Sequence, residues 1–157
     1  MTSPKSSSRT APSGVTASTI VTSLLTIETP GRGFVDLTAE VAKFARQAGA
    51  REGALMLFIR HTSASLTIQE NADPSVLADL MTALDRLAPE DAGWRHDTEG
   101  PDDMPAHIKT MLTASSLHIP VLKSELMLGT WQAIYLIEHR ARAHRREIVL
   151  QFLGATA

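Results

Sequence analysis

At 157 residues with 43% apolar content, the chain is long enough to bury one real core and too short to promise two domains. A net charge of −2 gives no electrostatic reason to expect nucleic acid or an anionic membrane surface as a partner, and no segment approaches the roughly 18 apolar residues that would cross a bilayer. The absence of cysteine excludes disulfides, thiolate metal sites and cysteine nucleophiles, so any metal must use His, Asp or Glu; it also fits a reducing, cytoplasmic compartment.

Met1 to Gly14 (MTSPKSSSRTAPSG) is rich in Ser, Thr and Pro, holds no acid, and reads as a disordered tail before a single domain over 15–157. It lacks the amphipathic arginine spacing of a transit peptide. From Thr16 to Thr29 the Thr, Val and Ile content predicts a strand, turned by Pro30 to Gly33. Thr38 is placed to cap a helix whose Leu37, Val41, Phe44 and Ala48 share a face, with Gly49 as its left-handed terminator. Gly53 to Arg60 (GALMLFIR) is a nearly continuous apolar run, expected to be a central strand covered on both faces and ending at His61. After a reversal at Thr62 to Ser65, Leu66 to Glu70 alternates as a half-buried strand should. Asn71-Ala72-Asp73-Pro74 opens a second helix with an apolar stripe through Val76, Leu77, Leu80, Met81, Leu84 and Leu87.

The stretch Arg95 to Pro120 concentrates the polar chemistry. His96 lies in a loop with Asp97, Glu99, Gly100 and Pro101, too rich in breakers to be a buried element. Asp102-Asp103-Met104-Pro105 reads as the entrance of a third helix, running to about Ala114 with a stripe of Met104, Ile108, Met111 and Leu112. That spacing puts His107 at the stripe's edge and points Lys109 well away from it. Three strands follow, Leu117 to Leu122, Trp131 to Glu138 and Glu147 to Leu153, the last two joined by a basic turn from Arg140 to Arg146. The interleaving is irregular, so the fold class is α+β, with a mixed or antiparallel sheet and helices on one side.

His61, His96 and His107 come from a strand end, a loop and a helix start, which a fold can bring to one sheet edge. Three imidazoles with an open position are a familiar zinc shell, although ordinary hydrogen-bonded histidines fit the spacing equally. Glu70 is a general base or a solvated strand end; Asp102 and Asp103 are catalytic acids or helix caps. Ser115 and Ser116 can hold an oxyanion or close the helix, and Thr130 is a further candidate ligand-binding hydroxyl beside Gly129. Trp131 reads as a buried aromatic, Gln132 as a pocket or interface group, and His118 as packing. His139 and His144 belong to the basic turn, read as solvated rather than as an anion patch.

Five blocks in order, HTSA from His61, ENADP from Glu70, GPDDMPAHIK from Gly100, the Ser115 to Val121 segment and LGTWQ from Leu128, resemble the YjbQ-like family, often labelled secondary thiamine-phosphate synthase. The resemblance implies a YjbQ-like α+β subunit that trimerises through its sheets, with a polar, histidine-containing site near the subunit boundary. The family's motif histidines fall on His61, His96 and His107, and its acids on Glu70 and Asp102 or Asp103, which implies a divalent metal, zinc or else magnesium. The implied activity joins a thiazole phosphate to a pyrimidinylmethyl diphosphate with loss of pyrophosphate, Lys109 and the arginines from Arg140 to Arg146 assisting, on a small phosphate-bearing substrate. A metal-dependent hydrolase using Glu70 or Asp103 for proton transfer and a non-catalytic trimeric binding module are the alternatives.

Overall fold

Among the described residues, 6–157, the computed structural model of the protein has the order β1 (Thr19–Thr29), β2 (Gly33–Asp36), α1 (Thr38–Gln47), β3 (Ala50–Ile59), β4 (Ala64–Glu70), α2 (Pro74–Leu87), α3 (Asp103–Leu112), β5 (Ser116–Leu122), β6 (Glu125–Leu126), β7 (Gln132–Glu138) and β8 (His144–Thr156). Residues 6–18 are exposed and belong to no helix or strand; the first five residues of the expected tail lie outside the described range. The α+β class stands, but the single expected sheet is two: β1-β8-β3-β5-β6 and β2-β7-β4, every ladder antiparallel.

The core lies between the sheets. Leu55, Leu57 and Ile59 of β3 and Ile148, Leu150 and Phe152 of β8 meet Leu66 of β4 and Ile134 and Leu136 of β7, with Val41 and Phe44 of α1 closing one end. At the other end two backbone bonds stitch the sheets together, Ile59 N to Ser115 O (2.9 Å) and Leu66 N to Ala114 O (2.7 Å). The loop that carries Thr62 and Ser63 and the end of α3 are therefore neighbours, and the candidate site is built at this seam.

Several elements depart from the sequence reading for identifiable reasons. The strands β2 and β6 are too short to show a period; β6 is created by a tight hairpin in which Lys123 (φ 51°) and Ser124 (φ 66°) are both left-handed, the geometry of a two-residue turn that follows strand twist. Helix α1 is entered through Asp36, whose Oδ1 accepts from Thr38 N at 2.8 Å, while the Thr38 hydroxyl instead accepts from Ile134 N in β7. Gly49 does take the left-handed conformation (φ 63°) that ends α1, and Asp73 caps α2 through Ser75 N (2.9 Å).

Four expectations about burial are overturned. The β3 run is covered on one face only: Phe58 shares the outer face of the larger sheet with Ile20, Leu24 and Leu153, all between 44% and 65% exposed. His118 lies on the same bare face beside Met56, so it does not pack in the core, and Trp131 is 64% exposed. Helix α3 is turned round relative to its apolar stripe. Met111 is 79% exposed, whereas Lys109, expected to point away, is 1% exposed and lies with Asp103 and Ala106 on the inward face. Counting apolar residues misplaced this helix because its inward face is held by charge pairs.

Candidate metal centre

Helix α3 begins at Asp103, and one turn later His107 falls on the same face, as residues four apart must. The loop before it returns His96 to that face. His96 Nε2 lies 3.1 Å from Asp103 Oδ2, His107 Nε2 lies 3.5 Å from Asp103 Oδ1, and the two imidazole rings are tilted with centroids 5.2 Å apart. The potential ligand atoms of these three residues all lie within 4.8 Å of one another, the one such group of three or more among the described residues. His96 is on the solvent side, 58% exposed, and the Asp103 side chain is buried.

The supporting bonds fix what each atom can do. His107 Nδ1 is 2.9 Å from the carbonyl oxygen of Thr62, an atom that only accepts, so Nδ1 carries the proton and Nε2 of the neutral ring presents a lone pair to Asp103. Two acceptors thus face each other, an arrangement that calls for a proton or a cation between them. Asp103 Oδ1 also accepts from Arg140 Nη1 at 2.5 Å. Arg140 is nearly buried; it further donates to Asp102 Oδ2 from Nε (3.2 Å), to Glu99 O (2.8 Å) and to the Glu99 carboxylate (3.4 Å). Neither Asp102 nor Asp103 caps the helix with its side chain: Asp102 Oδ2 also accepts from Ala141 N (2.8 Å), and these bonds with Arg140 hold its carboxyl below the usual range against the opposing effect of burial.

Behind Arg140 the basic turn is half interior, contrary to the solvated reading. Glu138 is fully buried and accepts from Arg146 Nε (2.7 Å) and Nη2 (2.6 Å), the Thr29 hydroxyl (2.8 Å) and Arg140 N (2.9 Å). Burial alone would raise its carboxyl pKa; the bonds with Arg146, Arg140 and Thr29 bring it below the usual range. His139 is also fully buried, its Nε2 2.8 Å from Ser65 Oγ, and burial together with Lys109 lowers it to about 4. Arg142 and Arg145 remain exposed.

The remaining predicted site residues separate. His61 does not join the cluster: its Nε2 accepts from Glu147 N at 2.8 Å, so Asp103 stands where a third imidazole was expected. His61 lines a neighbouring cavity of ≈ 780 Å³ together with Ser63, His107 and Ser115. Lys109 Nζ is paired with Asp85 Oδ1 at 2.5 Å, tying α3 to α2, and is held away from the cluster's solvent side. Glu70 ends β4 at the pole opposite Ala64, six residues and roughly 20 Å along the strand from the seam. Ser116 starts β5, and Thr130 lies exposed in the turn before β7, where Gln132 accepts from Gly129 N (2.8 Å). Sequence reasoning placed Arg140 among the cations assisting at a phosphate and not as the organiser of the site's acids; an arginine two positions after Glu138, just past an apolar strand, was the signal available.

A second cavity of ≈ 690 Å³ opens on the other side of Arg140, bordered by Glu90, Glu99, Asp102, Arg142 and His144. The family model described as UPF0047 protein YjbQ-like matches residues 23–155. A UPF0047 protein of Synechocystis sp. is 47% identical over 132 residues, 83% of this chain and 90% of that protein. The UPF0047 protein YjbQ of Salmonella typhimurium is 42% identical over 131 residues, 83% of this chain and 95% of that one. Among solved structures, a conserved hypothetical protein of Thermus thermophilus superposes with a TM-score of 0.72 at 36% identity, covering 81% of this chain and 97% of that one.

Proposed function

The chain belongs to the UPF0047 family of YjbQ-like proteins, and from that premise we propose that it is a divalent-metal enzyme acting on a small phosphate-bearing substrate, with His96, Asp103 and His107 as the metal ligands. The observation that carries this is the confrontation of Asp103 Oδ1 with His107 Nε2, two acceptors made neighbours by helix geometry and kept there by Arg140 and by Thr62 O. Imidazole and carboxylate donors without thiolate suit zinc, with magnesium a poorer fit to the nitrogen ligands. Such an ion supplies Lewis acidity and an activated water when bound. The chain's own residues do the rest: Thr62 O sets the tautomer of His107, Arg140 sets the angle of the Asp103 carboxylate, and the exposed His96 leaves the solvent side accessible.

This reading favours hydrolysis over thiamine-phosphate synthesis. Of the cations named for neutralising pyrophosphate, Lys109 is held by Asp85, Arg140 by Asp102, Asp103 and Glu99, and Arg146 by Glu138, which leaves Arg142 and Arg145 exposed. Glu70 is too far along β4 to handle a proton in its own subunit. The protein is proposed to be a cytoplasmic homotrimer in which the apolar outer face of the larger sheet is covered by neighbouring copies; among the described residues no helix is long and apolar enough to cross a membrane. The test is turnover by the zinc-loaded protein: release of phosphate from simple phosphate esters supports the hydrolase, release of pyrophosphate from the two thiamine precursors overturns it in favour of the transferase, and stoichiometric metal without turnover leaves a binding module.

A further inference from the structure

His61, displaced from the metal cluster, is placed for a different task. Its Nε2 accepts from the backbone N–H of Glu147 at 2.8 Å, and a peptide N–H can only donate. The proton of the neutral ring is therefore on Nδ1. His61 cannot take up a second proton without losing that amide bond, and burial with Arg146 nearby lowers its pKa further, so at neutral pH it is a donor and not a base. The ≈ 780 Å³ cavity it lines is within the range of small-molecule sites and has no aspartate or glutamate in its lining; its polar groups include His61, His107, the Ser63 and Ser115 hydroxyls and Arg60, which is itself paired with Glu147 (3.1 Å), and Phe58 and Met111 are its apolar border. The other large cavity differs in setting acids, Glu90, Glu99 and Asp102, against Arg140, Arg142 and His144.

We propose that the cavity between the end of β3, the Thr62–Ser63 loop and α3 is an oxyanion subsite, taking the phosphate or carboxylate of a small molecule, with His61 as its neutral N–H donor and the molecule's apolar part against Phe58 and Met111. The inference deepens the metal-enzyme reading, on which it rests only for linking the subsite to turnover: His107 belongs to both the cavity and the cluster. A phosphate ester bound here would bring its anionic group beside the metal ligands.

The experiment uses the full chain, metal-free and zinc-loaded, titrated by calorimetry with inorganic phosphate and, in parallel, with acetate, which distinguishes the two oxyanions. His61→Gln keeps an acceptor for the Glu147 amide while removing the Nδ1 donor. At least one oxyanion is expected to bind saturably to the wild type and about tenfold more weakly to His61→Gln, the scale of one hydrogen bond to a charged group, with zinc stoichiometry unchanged. Equal affinities in the two proteins, or no saturable binding of either ion to the zinc-loaded wild type, overturn the proposal, as does loss of zinc in His61→Gln. If the wild type binds no zinc but the metal-free protein still shows the His61→Gln effect, the subsite stands and the metal reading falls. A two-bond proton–nitrogen correlation spectrum of the wild type gives a check that needs no variant: a protonated Nδ1 supports the assignment, and a protonated Nε2 overturns it.

Discussion

Two regions of this molecule reverse the usual distribution of residues. At the corner where β7 runs into β8, Glu138, His139, Arg140 and Arg146 are buried, with Asp102 and Asp103 beside them, while on the outer face of the five-stranded sheet Ile20, Leu24, Phe58 and Leu153 stand in solvent. Burying ions costs several kcal/mol each unless every one is paired, and exposing a contiguous apolar face gives up stabilisation that burial would supply. The two reversals differ in how they are resolved. The charges of the corner are paired within the chain, since Glu138 accepts four hydrogen bonds and Arg140 reaches three acids, and His139 Nδ1 alone in it is buried without a partner. The apolar face has no covering element among the described residues, and the proposed homotrimer would supply one.

The contrast is broken most severely at Glu138. Glu138→Ala leaves Arg146 buried without its partner and should cost about 3–5 kcal/mol, read as a fall in the urea midpoint. Next in size is the pH dependence of the same corner. His139 has a folded pKa of about 4, below its unfolded value near 6.5, so the unfolded chain binds the extra proton first. The stability it contributes is complete above about pH 6.5 and is lost as pH falls through 6.5 towards 4, by about 3 kcal/mol. Lys109, Arg146 and Arg32 push in this direction and Glu138 against it. His139→Gln should flatten that slope in denaturation curves taken across the window. Glu138 and Asp102, both depressed, add a further loss only as pH falls below the ordinary carboxylate range.

The apolar face is sharpened by Leu24→Asp, which should leave the corner and its pH profile intact while splitting the assembly; sedimentation at three times the subunit mass for wild type and at the subunit mass for the variant is the expected pair of results. Smallest is Lys109→Met. Asp85 is half-exposed and keeps its water, so replacing the buried ammonium by an apolar chain of similar length should change stability by no more than about 1 kcal/mol. A large loss of turnover in a normally stable Lys109→Met protein would return this lysine to the catalytic set.

These two regions also mark where the sequence could and could not be read. Asp73-Pro74 and Gly49 were legible because a cap or a left-handed terminator is a local requirement, met within a few residues. His96 and His107 were legible as ligands and Asp103 as an acid on the same face as His107, four positions before it. Which residue completes the group was not, because the choice between His61 and Asp103 depends on the Glu147 amide, 86 positions from His61 in the chain. Helix α3 was read inside out for a related reason. Hydrophobic periodicity assumes an apolar interior, and here the interior is a set of charge pairs with Asp85 and Arg140, drawn from other elements.

The most direct test of the account is zinc bound per subunit, measured by mass spectrometry on the wild type, His107→Ala, Asp103→Asn and His61→Gln, with circular dichroism to check that each is folded. The ligand set His96, Asp103 and His107 predicts one zinc in the wild type and in His61→Gln, and loss of it in His107→Ala and Asp103→Asn. Full occupancy in a folded His107→Ala, or loss of zinc in His61→Gln with Asp103→Asn unaffected, would contradict it.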